Sequence, residues 1–151
     1  MSICDNRGNI IAPLTMHAVN RHDSVLFNES FFSLLETADM LELDIVGSYL
    51  TLDSGFDSEA NRTTIAGQGL IPVIHPNLRG AKDQRKIDTV WEAFEPYRDV
   101  YKERYKIERS FAWEDVYRKL VIRYERLQCT HLGFKYLGYS MINLRWFMGK
   151  K

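Results

Sequence analysis

Residues 45–74, IVGSYLTLDSGFDSEANRTTIAGQGLIPVI, carry the pattern on which the fold turns. Ile45 to Leu52 is a short apolar run bounded by polar residues, as expected of a buried strand. It ends at Asp53-Ser54-Gly55-Phe56-Asp57-Ser58, where Asp57 or Ser58 can cap a helix reaching to about Ala66, stopped by Gly67 and Gly69. Leu70 to Ile74 forms the next strand, closed by His75-Pro76. Alternation of strand and helix on this scale predicts an α/β domain.

Upstream, Met1 to Cys4 and Asn9 to Ala18 read as the two strands of a hairpin turning at Asp5-Asn6-Arg7-Gly8, with Pro13 at an edge or bulge. A four-residue arm pairs poorly, so the natural start of this element is expected to lie before Met1. A polar loop, Asn20-Arg21-His22-Asp23-Ser24, then caps a helix from about Val25 to Met40, with Leu26, Phe27, Phe31, Leu34 and Leu35 on its inner side. His17, His22 and Asp23 could be imagined as metal ligands, but loop fixing and helix capping account for the last two. Downstream, Asn77 to Lys86 is a polar loop holding Arg79, Lys82, Arg85 and Lys86, which suits either DNA phosphate or plain solvent. Helical pattern resumes from Lys86 to Phe94 and breaks near Pro96. A last helix, about Glu125 to Phe147, is apolar on most sides through Leu132, Phe134, Leu137, Tyr139, Met141, Ile142 and Leu144. It reads as core or as a surface for a second subunit. Trp91, Trp113 and Trp146 read as core residues, with stacking on a base as the alternative.

Between these helices lies 101–115, YKERYKIERSFAWED. At helical pitch Tyr101, Arg104, Glu108 and Asp115 fall along one face, and Val100, Ile107 and Phe111 mark an apolar stripe. A carboxylate on a rigid helix with an arginine one turn before it suits metal or phosphate chemistry; the same spacing is also ordinary helix surface. Asp53, at a strand end where ligands collect in open α/β sheets, is the natural companion of Glu108. An aspartate there and a glutamate on a facing helix are two of the three carboxylates that hold paired Mg²⁺ ions for phosphodiester chemistry. Aspartate at such a junction is also common for conformational reasons alone.

At 151 residues the chain suits one domain with a real core. No apolar run of about 18 residues appears, so no membrane span is expected, and the start shows no secretory pattern. Cys4 and Cys129 form no CxxC pair and read as reduced thiols of a cytoplasmic protein. The net charge is zero, yet residues 1–78 hold three basic and ten acidic side chains, whereas residues 79–151 hold 17 basic and 10 acidic. Such asymmetry favours a polyanionic partner for the second half.

Taken in order, NRGNIIAPLTMHAVNRHDS, LTLDSGFDSEANR, LIPVIHP, YKERYKIERSFAW, RYERL and GFKYLGYSMINLR resemble the bacterial insertion-sequence transposases of the DDE type over nearly the whole chain. The resemblance implies an RNase H-like fold, a mixed sheet flanked by helices. It implies DNA strand cleavage and transfer at transposon ends, with Mg²⁺ or Mn²⁺ as cofactor, and a nucleoid-associated place in the cytoplasm. Carried over by position, Asp53 is the second catalytic aspartate and Glu108 the final glutamate, both holding metal. Tyr101 and Arg104 match the family's Tyr, two residues, Arg, three residues, Glu signature and would contact phosphate and orient Glu108. Asp115 stands where that signature has lysine, and Lys119, one turn on, would substitute for it in part.

The family's first aspartate lies on a first, central strand upstream of the hairpin, and neither Asp5 nor Asp23 stands where it belongs. Residues 1–151 are therefore expected to be a partial catalytic domain lacking that strand, its aspartate and any N-terminal DNA-binding segment. Its neighbours' backbone groups would then be unpaired, at about 1–3 kcal/mol for each one buried, giving a gap or collapsed sheet. The lone chain is expected to cleave little or no DNA unless another polypeptide supplies the strand. The alternatives are a non-catalytic remnant that binds DNA or joins full-length transposase, possible as a homo-oligomer, and an unrelated RNase H-like nuclease.

Overall fold

In a computed structural model, which describes residues 2–11, 23–117, 120, 122 and 125–149 apart from the side chains at 23–25 and 146, β1 (Tyr49–Leu52) and β2 (Ile71–Ile74) pair in parallel. Their register sets Tyr49 beside Ile71 and Leu52 beside Ile74. The chain is α/β, with most of its described residues helical and a two-stranded sheet among them. It divides into two units, residues 17–104 and residues 1–16 with 105–151.

The unit of residues 17–104 holds the sheet. Helix α1 (Asp23–Met40) buries Phe27, Phe31, Leu34 and Ala38, with the Phe27 and Phe31 rings stacked at 5.2 Å. Leu52, Ile65, Leu70, Val73, Ile74 and Phe94 are buried as well. Helix α2 (Glu59–Gly67) joins the strands, and Ser58 is its cap, accepting from the Asn61 N–H at 3.2 Å. The first strand is shorter than the 45–52 run suggests. Gly47, at φ +75°, donates to the Gly69 carbonyl at 2.7 Å, while Asp44 accepts from the Val46 N–H at 3.0 Å. These bonds fold 44–48 into a turn, a conformation open to glycine and costly for branched residues.

The two edges of the sheet differ. Ile71 N–H donates to the Ser48 carbonyl and His75 N–H to that of Leu52, so Leu50 and Leu52 turn their peptide groups toward β2 while Tyr49 and Thr51 turn theirs away. Nothing among the described residues bonds the outward N–H and C=O groups of Tyr49 and Thr51. On the far side of β2, Pro72 has no N–H to offer and the Ile74 carbonyl accepts from Arg62 Nη2 at 3.2 Å.

Helices α3 (Gln84–Phe94) and α4 (Arg98–Lys102) follow, separated by a 3-10 turn containing Pro96. Helix α4 does not run on into α5 (Tyr105–Glu114). Glu103 and Arg104 donate to the carbonyls of Val100 and Tyr101, three residues back, tightening the last turn and ending the helix. The single helical face expected for 101–115 is thus broken between Arg104 and Glu108, and Asp115 lies in the turn after α5. Phe111, expected in an apolar stripe, is exposed.

In the other unit, Cys4 and Ile10 form one antiparallel bridge of the expected hairpin. The Asp5 carboxylate accepts from Arg7 N–H, Asn9 N–H and Asn9 Nδ2 at 2.8–2.9 Å, fixing the turn. The hairpin is pinned to two helices. Ser110 Oγ of α5 donates to the Gly8 carbonyl at 2.9 Å, and Asn143 of α6 (Gln128–Met148) exchanges two 2.9 Å bonds with the Ile10 backbone. On α6, Tyr139 and Ile142 are buried and Leu132 partly so. Leu137, Met141 and Leu144, expected in the core or on a surface for a second subunit, are exposed, and the opposite face of the helix meets the hairpin and α5. Among the described residues no helix is long and apolar enough to cross a membrane.

Candidate functional site

Asp53 follows the last residue of β1, and His75 follows that of β2, so parallel pairing sets both at the same end of the sheet. Asp53 occupies the cap position of the 3-10 turn Ser54–Phe56, yet its side chain makes no capping bond. Both carboxylate oxygens instead face Arg104: Nη1 donates to Oδ1, and Nη2 donates to Oδ2 at 3.0 Å. A bidentate guanidinium–carboxylate pair fixes orientation as well as charge.

Tyr101 completes this cluster. Its hydroxyl accepts from Arg104 Nη1 at 2.9 Å, and the guanidinium carbon lies 5.4 Å from its ring centre. The Arg104 side chain is 18% exposed, while that of Asp53 is 58% exposed. The arginine is therefore held by the fold and the carboxylate is open to solutes. Burial alone would lower the Arg104 guanidinium, but hydrogen bonding to Tyr101 and the nearby Asp53 charge offset it and hold it above its ordinary value.

Asp57, four residues on, has the structural task. Its Oδ1 accepts from Arg62 Nε and Nη2 at 3.0 and 2.7 Å, and its Oδ2 from the Asn77 N–H at 2.7 Å. The loops after β1 and β2 are thereby tied together, leaving Asp53 free of that duty.

Sequence reasoning passed over His75 as a strand-end residue. Its ring lies 5.5 Å from that of Trp91, 5.6 Å from Phe94 and 5.4 Å from Tyr101. This aromatic box backs the Tyr101 ring and so steadies Arg104. Trp91, although 39% exposed, is part of it. The sole signal in the sequence is the His-Pro that closes a strand. Arg79, Lys82, Arg85 and Lys86 are all exposed, on the loop leaving β2 and the start of α3.

The structure thus brings Asp53, Tyr101 and Arg104 together. Glu108 stands exposed in the first turn of α5 and belongs to the other unit. Asp5 spends its carboxylate on its own turn. Lys119, His17, His22 and the Asp23 side chain lie outside the described residues, as does the Trp146 side chain. As arranged, these groups do not fit a divalent ion. Both Asp53 oxygens are engaged by a cation already, and no three His, Cys, Asp or Glu side chains are grouped to hold one among the described residues.

A family model described as the transposase DDE domain matches residues 1–133. No curated protein and no solved structure matches the chain.

Proposed function

The chain belongs to the DDE transposase family, and we propose from that premise that Asp53 and Glu108 are two of the carboxylates with which its parent enzyme cuts and joins DNA at transposon ends. A role in DNA transposition, with DNA as partner, goes with the family. One observation supports the finer reading most: a solvent-open aspartate at the carboxyl end of a parallel strand does no capping work and is met by the arginine of the family's Tyr-Arg-Glu signature. Aspartates at strand ends ordinarily bond the local backbone, and this one does not.

An RNase H-like arrangement is part of the proposal, with β1 as the strand that leads into the second acid. The margin of β1 that is open among the described residues supports it, since a further strand can seat on Tyr49 and Thr51, whereas Pro72 and Arg62 leave β2 less of one. The remaining acid would arrive on such a strand. Within the donor set described here no centre for a divalent ion is complete, so the lone chain would cleave little or no DNA. Tyr101, Arg104 and Lys119 would face phosphate in the assembled enzyme, at the nucleoid.

The second reading is a non-catalytic remnant that binds DNA or associates with full-length enzyme. Its support is the incomplete donor set together with the cationic loop around Arg79 and Lys86. A nicking assay on end-containing DNA with Mg²⁺ or Mn²⁺ separates the two. Cutting that Asp53→Ala and Glu108→Ala each abolish supports the enzyme, alone or after an added strand-bearing polypeptide. DNA binding without cutting under both conditions supports the remnant, and cutting indifferent to end sequence points to a nuclease.

A further inference from the structure

We propose that Arg104 is a built-in competitor of divalent cations at Asp53, keeping that carboxylate closed until the guanidinium is drawn away. The inference rests on the reading of Asp53 as a metal ligand, and it starts from the misfit between that reading and the observed partners. A divalent ion needs carboxylate oxygens at close range, and both oxygens of Asp53 already face the two Nη atoms of one guanidinium. The two occupants exclude each other, because a cation at Asp53 would also sit against the positive charge of Arg104.

The latch is better anchored than its catch. Arg104 is mostly buried, hydrogen-bonded at 2.9 Å to Tyr101 and set over its ring, which His75 backs in turn at 5.4 Å. It also sits at the break between α4 and α5, where its N–H turns to the Tyr101 carbonyl at 3.1 Å instead of extending the helix. The arginine therefore has a seat of its own, and swinging it off Asp53 does not require α4 to unfold. Asp53 has no described partner besides Arg104, so once released its oxygens face solvent. An anion such as a phosphodiester offers the guanidinium an equivalent bidentate partner and is the chemistry that would draw it off.

Binding of Mn²⁺ alone, followed by the electron paramagnetic signal of the free ion, tests this on the full chain without any turnover. Arg104→Gln is expected to tighten binding about five- to tenfold, the range of a partly exposed bidentate pair. Arg104→Lys, which keeps the charge and offers one point contact, should fall between wild type and Arg104→Gln, and guards against a fold defect in either variant. Adding Asp53→Asn to Arg104→Gln should erase the gain. Unchanged or weaker binding in Arg104→Gln, with wild-type binding still lost in Asp53→Asn, overturns the latch and leaves Asp53 as a ligand. Binding indifferent to Asp53→Asn in both backgrounds overturns the latch together with the ligand reading.

Discussion

Replacing Asp57 by alanine removes the acceptor of three hydrogen bonds from Arg62 and Asn77 and unties the two loops that follow β1 and β2. A loss of about 2–3 kcal/mol is expected in urea unfolding, since Arg62 and Asn77 are left without it. Asp53→Asn should cost under about 1 kcal/mol, because the pair it weakens is half open to solvent and the amide keeps an oxygen toward Arg104. Equal losses would mean that Asp53 is structural after all. A second residue prediction concerns Cys4, whose thiol burial, and then the nearby Asp5 charge, push up to about 11 from 9.0. The folded chain keeps this proton longer than the unfolded one, so the contribution to stability is whole below pH 9.0 and lost as pH rises toward about 11. Tyr139 shifts the same way, through burial and then its hydrogen bond to Glu114. Urea midpoints should therefore fall across that interval, and Cys4 should react with a disulfide reagent near neutral pH about a hundredfold more slowly folded than unfolded. The place of Asp53 at a strand end was legible because a polar residue ending an apolar run is a local pattern. Its partner was not, since Arg104 is 51 residues away and pairs through charge, which leaves no periodic trace. His75 was invisible for a like reason, as ring packing joins three aromatics from two helices.

The strands and helices of 49–94 were readable in kind, and their errors have local causes. Gly47 and Asp44 make a turn where apolar composition alone suggests strand. The break at Glu103–Arg104 was hidden by residues that all favour helix, and only the side-chain attachments of Arg104 distinguish that position. At this scale the prediction is one of alternation. Amides of Leu50, Leu52 and Val73 face across the ladder and should resist hydrogen exchange, while those of Tyr49 and Thr51 should exchange within about tenfold of an unstructured peptide. Protection of all five in the isolated chain would show that the margin of β1 is already occupied. Slowing of Tyr49 and Thr51 on adding full-length transposase would show a further strand seated on β1.

Read by unit instead of by halves, the charge asymmetry becomes a property of the folded pieces. Residues 1–16 with 105–151 carry eleven basic and five acidic side chains, and residues 17–104 carry nine and fifteen. Arg7 thus joins the basic piece although it lies in the acidic half of the sequence. Crosslinking to duplex DNA is expected to concentrate in 105–151, with affinity falling steeply with salt, by about 0.9 in log K per log salt for each phosphate neutralised. Crosslinks confined to Lys82 and Lys86 would instead give the loop after β2 the leading part. The contrast between the strand margins has one more consequence, for self-association. Among the described residues the sheet is open along β1 at Tyr49 and Thr51 and half closed along β2 by Pro72 and Arg62, so lengthening is favoured on one side. Two molecules meeting along β1 would turn only their half-closed sides outward, which favours a closed dimer over a growing fibril.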